Sequence, residues 1–501
     1  MNRLEEATES YKQAISLKVD YAIAYSNLGN VLREQKRYEE AVSCFNQAIH
    51  LKPDYAEAYS NLGVTKCELE CYEEALACHE RAIHLVPNYA EAFTNRGITL
   101  EKLCKFEEAL ASHDKAIELR PQYVEAFSNR GIVLTLMMRL EEAIASYKHA
   151  IELDPNHAES FYNLGFAFRE SMQFDRALQA YDRCIGLRPE YSDAFWNKSL
   201  TLLLLGDFIN AWSLYEWRWK RDEFTKFSRY FTKPVWLGLE DISNKKIFLH
   251  AEQGLGDTIQ FCRYAKLVKK RGAYVILEVP QSLINLLHGL DGVDHLVKAG
   301  DPLPDFDYHC PLLSLPLAFE TNLDSIPQPT PYLCVDPLKL TAWRDRLGEK
   351  TKPRIGLVWS GNLQHKNDRN RSFALQELIT NLPPDYEYVS LQKEVRENDR
   401  KTLSESSIRH FEEYLLDFTD TAALCELVDL VITVDTSVAH LAGSIGKKTW
   451  LLLPYVPDWR WLLNRKDSPW YGSMLLYRQK QDRQWSPVLK RLNKDLLQFF
   501  L

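Results

Sequence analysis

The stretch "AEAYSNLGVTKCELECYEEALACHERAIHLVPNY", Ala56 to Tyr89, is 34 residues long and returns, altered but recognisable, through the first part of the chain. Gly29, Gly63, Gly97, Gly131 and Gly165 stand 34 apart. Pro53, Pro87, Pro121, Pro155 and Pro189 keep the same interval, and so do Ala7, Ala41, Ala75, Ala109, Ala143, Ala177 and Ala211. A period of this length marks a solenoid, whose units bury their apolar faces only by stacking on one another. Small residues such as Gly63 and Ala75 let the two helices of a unit cross closely. The proline stops the second helix and opens the turn into the next unit. Segment 1–19 matches only a second helix. From about residue 192 the pattern decays, with Ser199 where glycine belongs, into "AWSLYEWRWK", as terminal units do.

These residues and spacings resemble the tetratricopeptide repeat (TPR), and the match covers residues 1–225. The resemblance implies an all-α superhelix whose concave groove takes a peptide or protein segment. Asn27, Asn61, Asn95, Asn129, Asn163 and Asn197 recur at one place on the first helix of each unit. They either hydrogen-bond a bound peptide backbone or tie adjacent helices, and spacing alone leaves both readings open. Trp212, Tyr215, Trp217, Trp219 and Trp236 cluster where the repeats end, placed either to stack on sugars or bases or to pack one domain on the next.

A chain of 501 residues exceeds one ordinary core, so two or three domains are expected. Its net charge of −8 argues against a nucleic-acid binder. No apolar run approaches the ~18 residues of a membrane span, and "MNRLEEATES" lacks the layout of a secretory signal. The ten cysteines form no C-x-x-C pair, which predicts reduced thiols in a cytoplasmic protein.

After Pro234 the periodicity changes. "KKIFLH" (245–250), "AYVILEV" (273–279) and shorter apolar runs to "PYLCV" (331–335) predict one α/β unit. "PRIGLVW" (353–359), "YEYVSL" (386–391), "LVITV" (430–434) and "TWLLLP" (449–454) predict a second. The expected architecture is α followed by α/β. The repeat superhelix occupies 1–225, and two Rossmann-like domains follow at 226–340 and 341–501, with ligands beyond the carboxyl ends of their strands.

Three strand ends carry unusual residues. In "HAEQGLGDTIQF" (250–261), Gln253, Gly254 and Gly256 form a turn able to approach an anion, and Asp257 follows at a helix start. From its type and place Asp257 is either a helix cap or a general base. With Glu278 ending the next strand, the loop also matches part of a dinucleotide fingerprint, but only part, because Ile259 replaces the third glycine. In "VWSGNLQHKNDRNRS" (358–372), Ser360, Gly361 and Asn362 make a turn, and Lys366, Arg369 and Arg371 could neutralise phosphates. In "VDTSVAHLAG" (434–443), Asp435, Thr436, Ser437 and His440 gather an acid, hydroxyls and an imidazole at a helix start suited to a diphosphate.

"QGLGDTIQFCRYA" and "VITVDTSVAHLAGSIG" together resemble the heptosyltransferase family (glycosyltransferase family 9) and its TPR-fused bacterial relatives, over roughly residues 234–490. The resemblance implies a GT-B fold, a nucleotide-diphosphate-sugar donor held mainly by the second domain, and inversion without a metal ion or cofactor. It places the base on Asp257 and donor binding on Asp435, Thr436 and His440. Ser437 stands where the family has glycine, and "GKKTWLLLPYVPDW" replaces its usual G-x-P and following run. The layout is also similar to that of O-linked N-acetylglucosamine transferases. The expected function is an inverting glycosyltransferase with a TPR-recruited acceptor. The alternatives are a TPR scaffold with an inactive transferase-like domain and, behind it, a nicotinamide-dependent oxidoreductase. "LPDFDYHC" holds the one D-x-D string, Asp305 to Asp307, and reads as structural.

Overall fold

The computed structural model describes residues 2–227, 229, 231–327, 331–365 and 367–500, and it divides into two compact units, Met1–Asn197 and Lys198–Leu501. In the first unit α1 (Asn2–Leu17) precedes five helical hairpins. These pair α2 (Ala22–Glu34) with α3 (Tyr38–Leu51), α4 (Ala56–Glu68) with α5 (Tyr72–Leu85), and α6 (Ala90–Lys102) with α7 (Phe106–Leu119). The last two pair α8 (Val124–Leu136) with α9 (Leu140–Leu153) and α10 (Ala158–Glu170) with α11 (Phe174–Leu187). Helix α12 (Ser192–Leu205) crosses the boundary between the units, and α13 (Phe208–Tyr215) belongs to the second.

The repeat glycines are explained by what lies over them. Phe45, His79, His113, Tyr147 and Tyr181 of the second helices press their rings on Gly29, Gly63, Gly97, Gly131 and Gly165 in turn. A Cβ on Gly131 would sit 2.5 Å from the buried Tyr147 ring, so Gly131→Ala is expected to destabilise the chain by about 1–3 kcal/mol through overpacking. Gly186, also helical, has nothing near its missing Cβ among the described residues. There alanine should stabilise by about 0.5–1 kcal/mol, and thermal melts of the two variants should move in opposite directions.

Between the helices of each hairpin one residue takes the left-handed conformation: Lys36, Glu70, Cys104, Met138 and Met172, at φ 57–61°. The turn closes by paired backbone bonds, as in Lys36 N to Arg33 O and Arg37 N to Leu32 O, both 2.9 Å, which satisfy the last carbonyls of the first helix. First helices of successive hairpins approach one another more closely than second helices do, so the stack curves with the first helices inside.

The second unit holds two wholly parallel sheets. One runs β3-β2-β1-β4, from β1 (Lys246–His250), β2 (Tyr274–Val279), β3 (His295–Lys298) and β4 (Tyr308–Pro311). The other runs β6-β5-β7-β8-β9, from β5 (Arg354–Val358), β6 (Glu387–Ser390), β7 (Leu430–Val434), β8 (Thr449–Leu453) and β9 (Met474–Arg478). Strands β5, β7 and β8 are buried along their whole length, as parallel strands covered on both faces must be. Segment 331–335, expected to close the first set of apolar runs, is not a strand. Tyr332 and Leu333 instead donate their amides to the Ser444 carbonyl. Asp307 of the D-x-D string accepts the Lys246 amide at 2.8 Å and so fixes the start of β1.

In the first sheet the chain winds outward through β1, β2 and β3 and then returns to the far side of β1. In the second it leaves β5 for β6 and returns as β7. Crevices open where strand order reverses, beyond the carboxyl ends. The segments at those points are 251–254, 312–314, 359–365 and 435–436.

Candidate functional site

The loop after β1 is held from beneath by a buried ion pair. Arg218 donates Nε and Nη2 to the two oxygens of Glu252 at 3.0 and 2.7 Å, and Nη2 also reaches Ser314 Oγ at 2.7 Å. Glu252 in turn accepts the Leu313 amide at 3.3 Å. Removing one member of such a pair strands the other in a dry interior, so Arg218 and Glu252 act together to set the loop's position. Gln253 follows in the left-handed region at φ 60°. Gly254 begins the short helix α14 (Leu255–Phe261) without unusual backbone.

Gly256 is small for a different reason from the one expected. A Cβ there would lie 2.8 Å from His440 Cδ2 and 3.4 Å from the Ser437 Cα. Its role in this geometry is to let α14 meet the helix Ser437–Ser444, with which it packs. Asp257 is thereby brought to the same place. Its Oδ2 accepts the Gly254 amide at 2.8 Å, the capping bond, and its Oδ1 pairs with Arg460 Nη2 at 2.5 Å. Burial pushes the Asp257 carboxyl above its ordinary range, while Arg460 and the Gly254 amide pull the other way.

Arg460 lies in "DWRW", just beyond β8. Its other bonds are Nε to Gln260 Oε1 at 2.7 Å and Nη1 to Asp458 Oδ1 at 2.9 Å. Its neighbour Trp461 stacks on His440 with ring centres 5.4 Å apart, and its side chain lies beside the Asp435 carboxyl. Burial, reinforced by the Asp458 charge, lifts Asp435 to about 6. His440 is buried, its Nδ1 lies 3.0 Å from the Tyr471 hydroxyl, and burial drives its pKa down to about 3, so it is a neutral imidazole at physiological pH.

Arg371 donates Nη1 to the Asp435 carbonyl at 2.7 Å and lies against Gly361, where a Cβ would meet its Nη2 at 2.6 Å. Thr436 occupies the cap position of the helix Ser437–Ser444, yet its side chain makes no capping bond there. Its hydroxyl sits 3.5 Å from that of Thr433. Ser360 and Asn362 are engaged close to their own loop: the Ser360 hydroxyl accepts from Gln392 Nε2 at 3.0 Å, and Asn362 Oδ1 accepts the Gln364 amide at 2.9 Å. Arg369 is exposed on a short helix, and Lys366 falls outside the described residues.

Gly256, Asp257, Arg371, Asp435, Ser437 and His440 thus converge. Arg460, Asp458, Trp461 and His365, whose imidazole lies within the charge fields of Arg371, Asp458 and Asp257, complete the cluster and were not foreseen. Their signal was positional: "DWRW" follows β8 as the other loops follow β1, β5 and β7. Glu278, the residue a nicotinamide enzyme would turn to a ribose, is buried and paired with Arg229.

Of the aromatic cluster, Trp212, Tyr215 and Trp236 are buried and pack, while Trp217 and Trp219 are half-buried beside Lys220 and Arg218. Trp212 and Tyr215 meet Trp459 edge-on at 5.5 and 6.5 Å, Phe208 stacks with Trp470 at 6.1 Å, and Trp212 Nε1 donates to the Thr321 carbonyl at 2.7 Å. In the repeats, Asn95 donates to Ser60 Oγ at 3.1 Å and Asn197 to the Tyr162 hydroxyl at 2.9 Å, each tying one first helix to the previous one. Asn61, Asn129 and Asn163 are partly exposed on first helices.

Family profiles described as TPR repeat match residues 1–35, 29–69 and 139–171, and profiles described as tetratricopeptide repeat match 54–122 and 159–191. Protein FlbA of Caulobacter vibrioides is 26% identical over 331 residues, 60% of this chain, and the chain spans about half (54%) of its length. Among solved structures, YrrB, "a TPR protein with an unusual peptide-binding site", is 30% identical, and the match covers 38% of this chain and all of that one at a TM-score of 0.31. TTC0263, a TPR protein of Thermus thermophilus, is 23% identical over 36% of this chain and 99% of its own, at a TM-score of 0.34.

Proposed function

We propose that this chain, which carries tetratricopeptide repeats in its N-terminal unit, is an inverting, metal-independent glycosyltransferase of GT-B type. It moves a sugar from a nucleotide-diphosphate donor to a hydroxyl acceptor that the repeats recruit, a protein being the natural fit for a groove lined by first helices. The observation that carries the reading is the contact of Gly256 with His440 and Ser437. It sets a carboxylate from one parallel sheet beside the helix start, guanidinium groups and imidazole of the other. Asp257 would take the acceptor proton. Arg371, Arg460 and the first amides of the helix Ser437–Ser444 would receive the charge of the departing diphosphate. Neutral His440, fixed by Tyr471 and Trp461, is suited to hydrogen-bond a sugar or phosphate oxygen.

One observation favours the scaffold reading instead: both oxygens of Asp257 already have partners. A panel of ADP-, UDP-, GDP- and dTDP-sugars, followed by thermal shift and nucleotide release with and without EDTA, separates the two. One donor is expected to stabilise the protein and to release nucleotide with EDTA present. If none binds, the transferase reading fails and the scaffold stands.

A further inference from the structure

The guanidinium of Arg460 is shared among three groups of unequal permanence. Asp458 belongs to its own turn, and Asp458 Oδ1 also accepts the Arg460 amide at 3.0 Å. Gln260, on α14, accepts from Nε at 2.7 Å. Those two bonds fix the plane of the fork. The third partner, Asp257, lies in the first turn of the same helix α14 as Gln260 and takes the remaining arm, Nη2. Arg460 lowers the proton affinity that burial raises, and it occupies Oδ1, the oxygen that does not cap the helix, so the paired carboxylate has no oxygen turned to an acceptor. The same arm lies within the charge field of His440 and Asp435, beside the helix start where a diphosphate would sit.

We propose that Arg460 is exchanged between Asp257 and the donor diphosphate, so that donor binding is what frees Asp257 to act as base; this rests on the transferase reading above. With Asp458 and Gln260 still holding the fork, Nη2 turns from Asp257 to a phosphate oxygen without moving the guanidinium far. The acceptor hydroxyl oxygen then bonds to the anomeric carbon as the bond from that carbon to the diphosphate oxygen breaks. The electron pair leaves with the diphosphate, which Arg460 holds, and the hydroxyl proton passes to Asp257 Oδ1. When the nucleotide diphosphate departs, Asp257 yields that proton to water and re-forms its pair with Arg460. Arg460 is in this scheme a positioning residue for the base and a ligand of the leaving group.

The exchange makes Asp257 a competitor of the ligand, which calorimetric titration with inorganic pyrophosphate can read without turnover. Asp257→Asn keeps an acceptor for the Gly254 amide but gives up the charge on Arg460. It is expected to tighten pyrophosphate about tenfold, the reverse of what loss of a binding residue does. Arg460→Met is expected to weaken pyrophosphate by about tenfold or more, with Arg460→Lys between it and wild type. If wild type binds nucleotide-sugar but Asp257→Asn leaves pyrophosphate affinity unchanged or weaker, the exchange is wrong and the transferase reading survives. If wild type binds neither pyrophosphate nor any donor of the panel, both fall. Should Arg460→Met fail to fold, the Asp257→Asn titration alone decides, because that variant retains Arg460.

Discussion

Asp257→Asn is expected to lower sugar transfer by about 10²–10⁴-fold while donor binding survives. The two roles open to Asp257 respond differently to this substitution. The capping role needs an acceptor oxygen for the Gly254 amide, 2.8 Å away, and an asparagine carbonyl supplies one. The base role needs a carboxylate, which asparagine cannot supply. A cap-only Asp257 therefore predicts turnover within a few-fold of wild type and a melting temperature close to it. A base predicts a protein that folds and binds but scarcely reacts. The pH profile adds a second readout. Because burial holds the Asp257 carboxyl above the ordinary carboxylate range, wild-type kcat/KM should rise as pH increases through that raised value and the base ionises. The residual activity of the variant should lack that limb. Turnover that persists within a few-fold of wild type, with the limb intact, would return Asp257 to the role of cap.

The repeats were legible because one physical requirement recurs at one interval. Each hairpin needs a small residue where a ring crosses and a proline where the second helix ends, so Gly63 and Pro87 carry the same message as Gly131 and Pro155. The ring itself was less legible. Its identity changes from phenylalanine to histidine to tyrosine along the array, and only the glycine opposite is constant. In the second unit the apolar runs of β1, β2, β5, β6, β7 and β8 were readable from composition. The strands β3, β4 and β9 were not, because they are only partly buried and their sequences, HLVK, YHCP and MLLYR, mix polar residues among the apolar ones. The same limit applies to the site. Asp257, Asp435 and His440 sit at strand ends, where local sequence announces them. Arg460 matters through a bond to a residue 203 positions away, and Arg218 through one to Glu252. Pairings of that kind are made by topology, and local spacing does not encode them. Thr436 is the converse case: its type and place fit a cap, yet its hydroxyl faces Thr433.

The largest stability effect is expected from two rings that the repeat periodicity hides. His79 and His113 occupy the slot that Phe45, Tyr147 and Tyr181 fill in the other hairpins, fully buried over Gly63 and Gly97. None of their ring nitrogens has a hydrogen-bond partner among the described residues. Burial drives each imidazole from an ordinary 6.5 down to about 4. The charges nearby do not reverse this. Arg96, which faces His79, is itself paired with Glu80, and Asp114 beside His113 is paired with Arg130. The folded state therefore holds these groups neutral where the unfolded chain would protonate them. Their contribution is fully present above pH 6.5 and is lost progressively as the pH falls toward 4. At pH 5 the loss is about 2 kcal/mol from each, a large share of the ~5–15 kcal/mol that holds a domain together. Phe45 over Gly29 shows that the slot accepts a phenyl ring, so His79→Phe/His113→Phe is expected to fold. Urea unfolding of the full chain, followed by far-ultraviolet circular dichroism at pH 7 and pH 5, should show a marked drop in midpoint for wild type. The double variant should drop by about 4 kcal/mol less, and hydrogen exchange should place the difference in α4–α7. Parallel losses in both proteins would mean that the acid sensitivity lies elsewhere, with the buried His250 and His440 of the second unit next to be replaced.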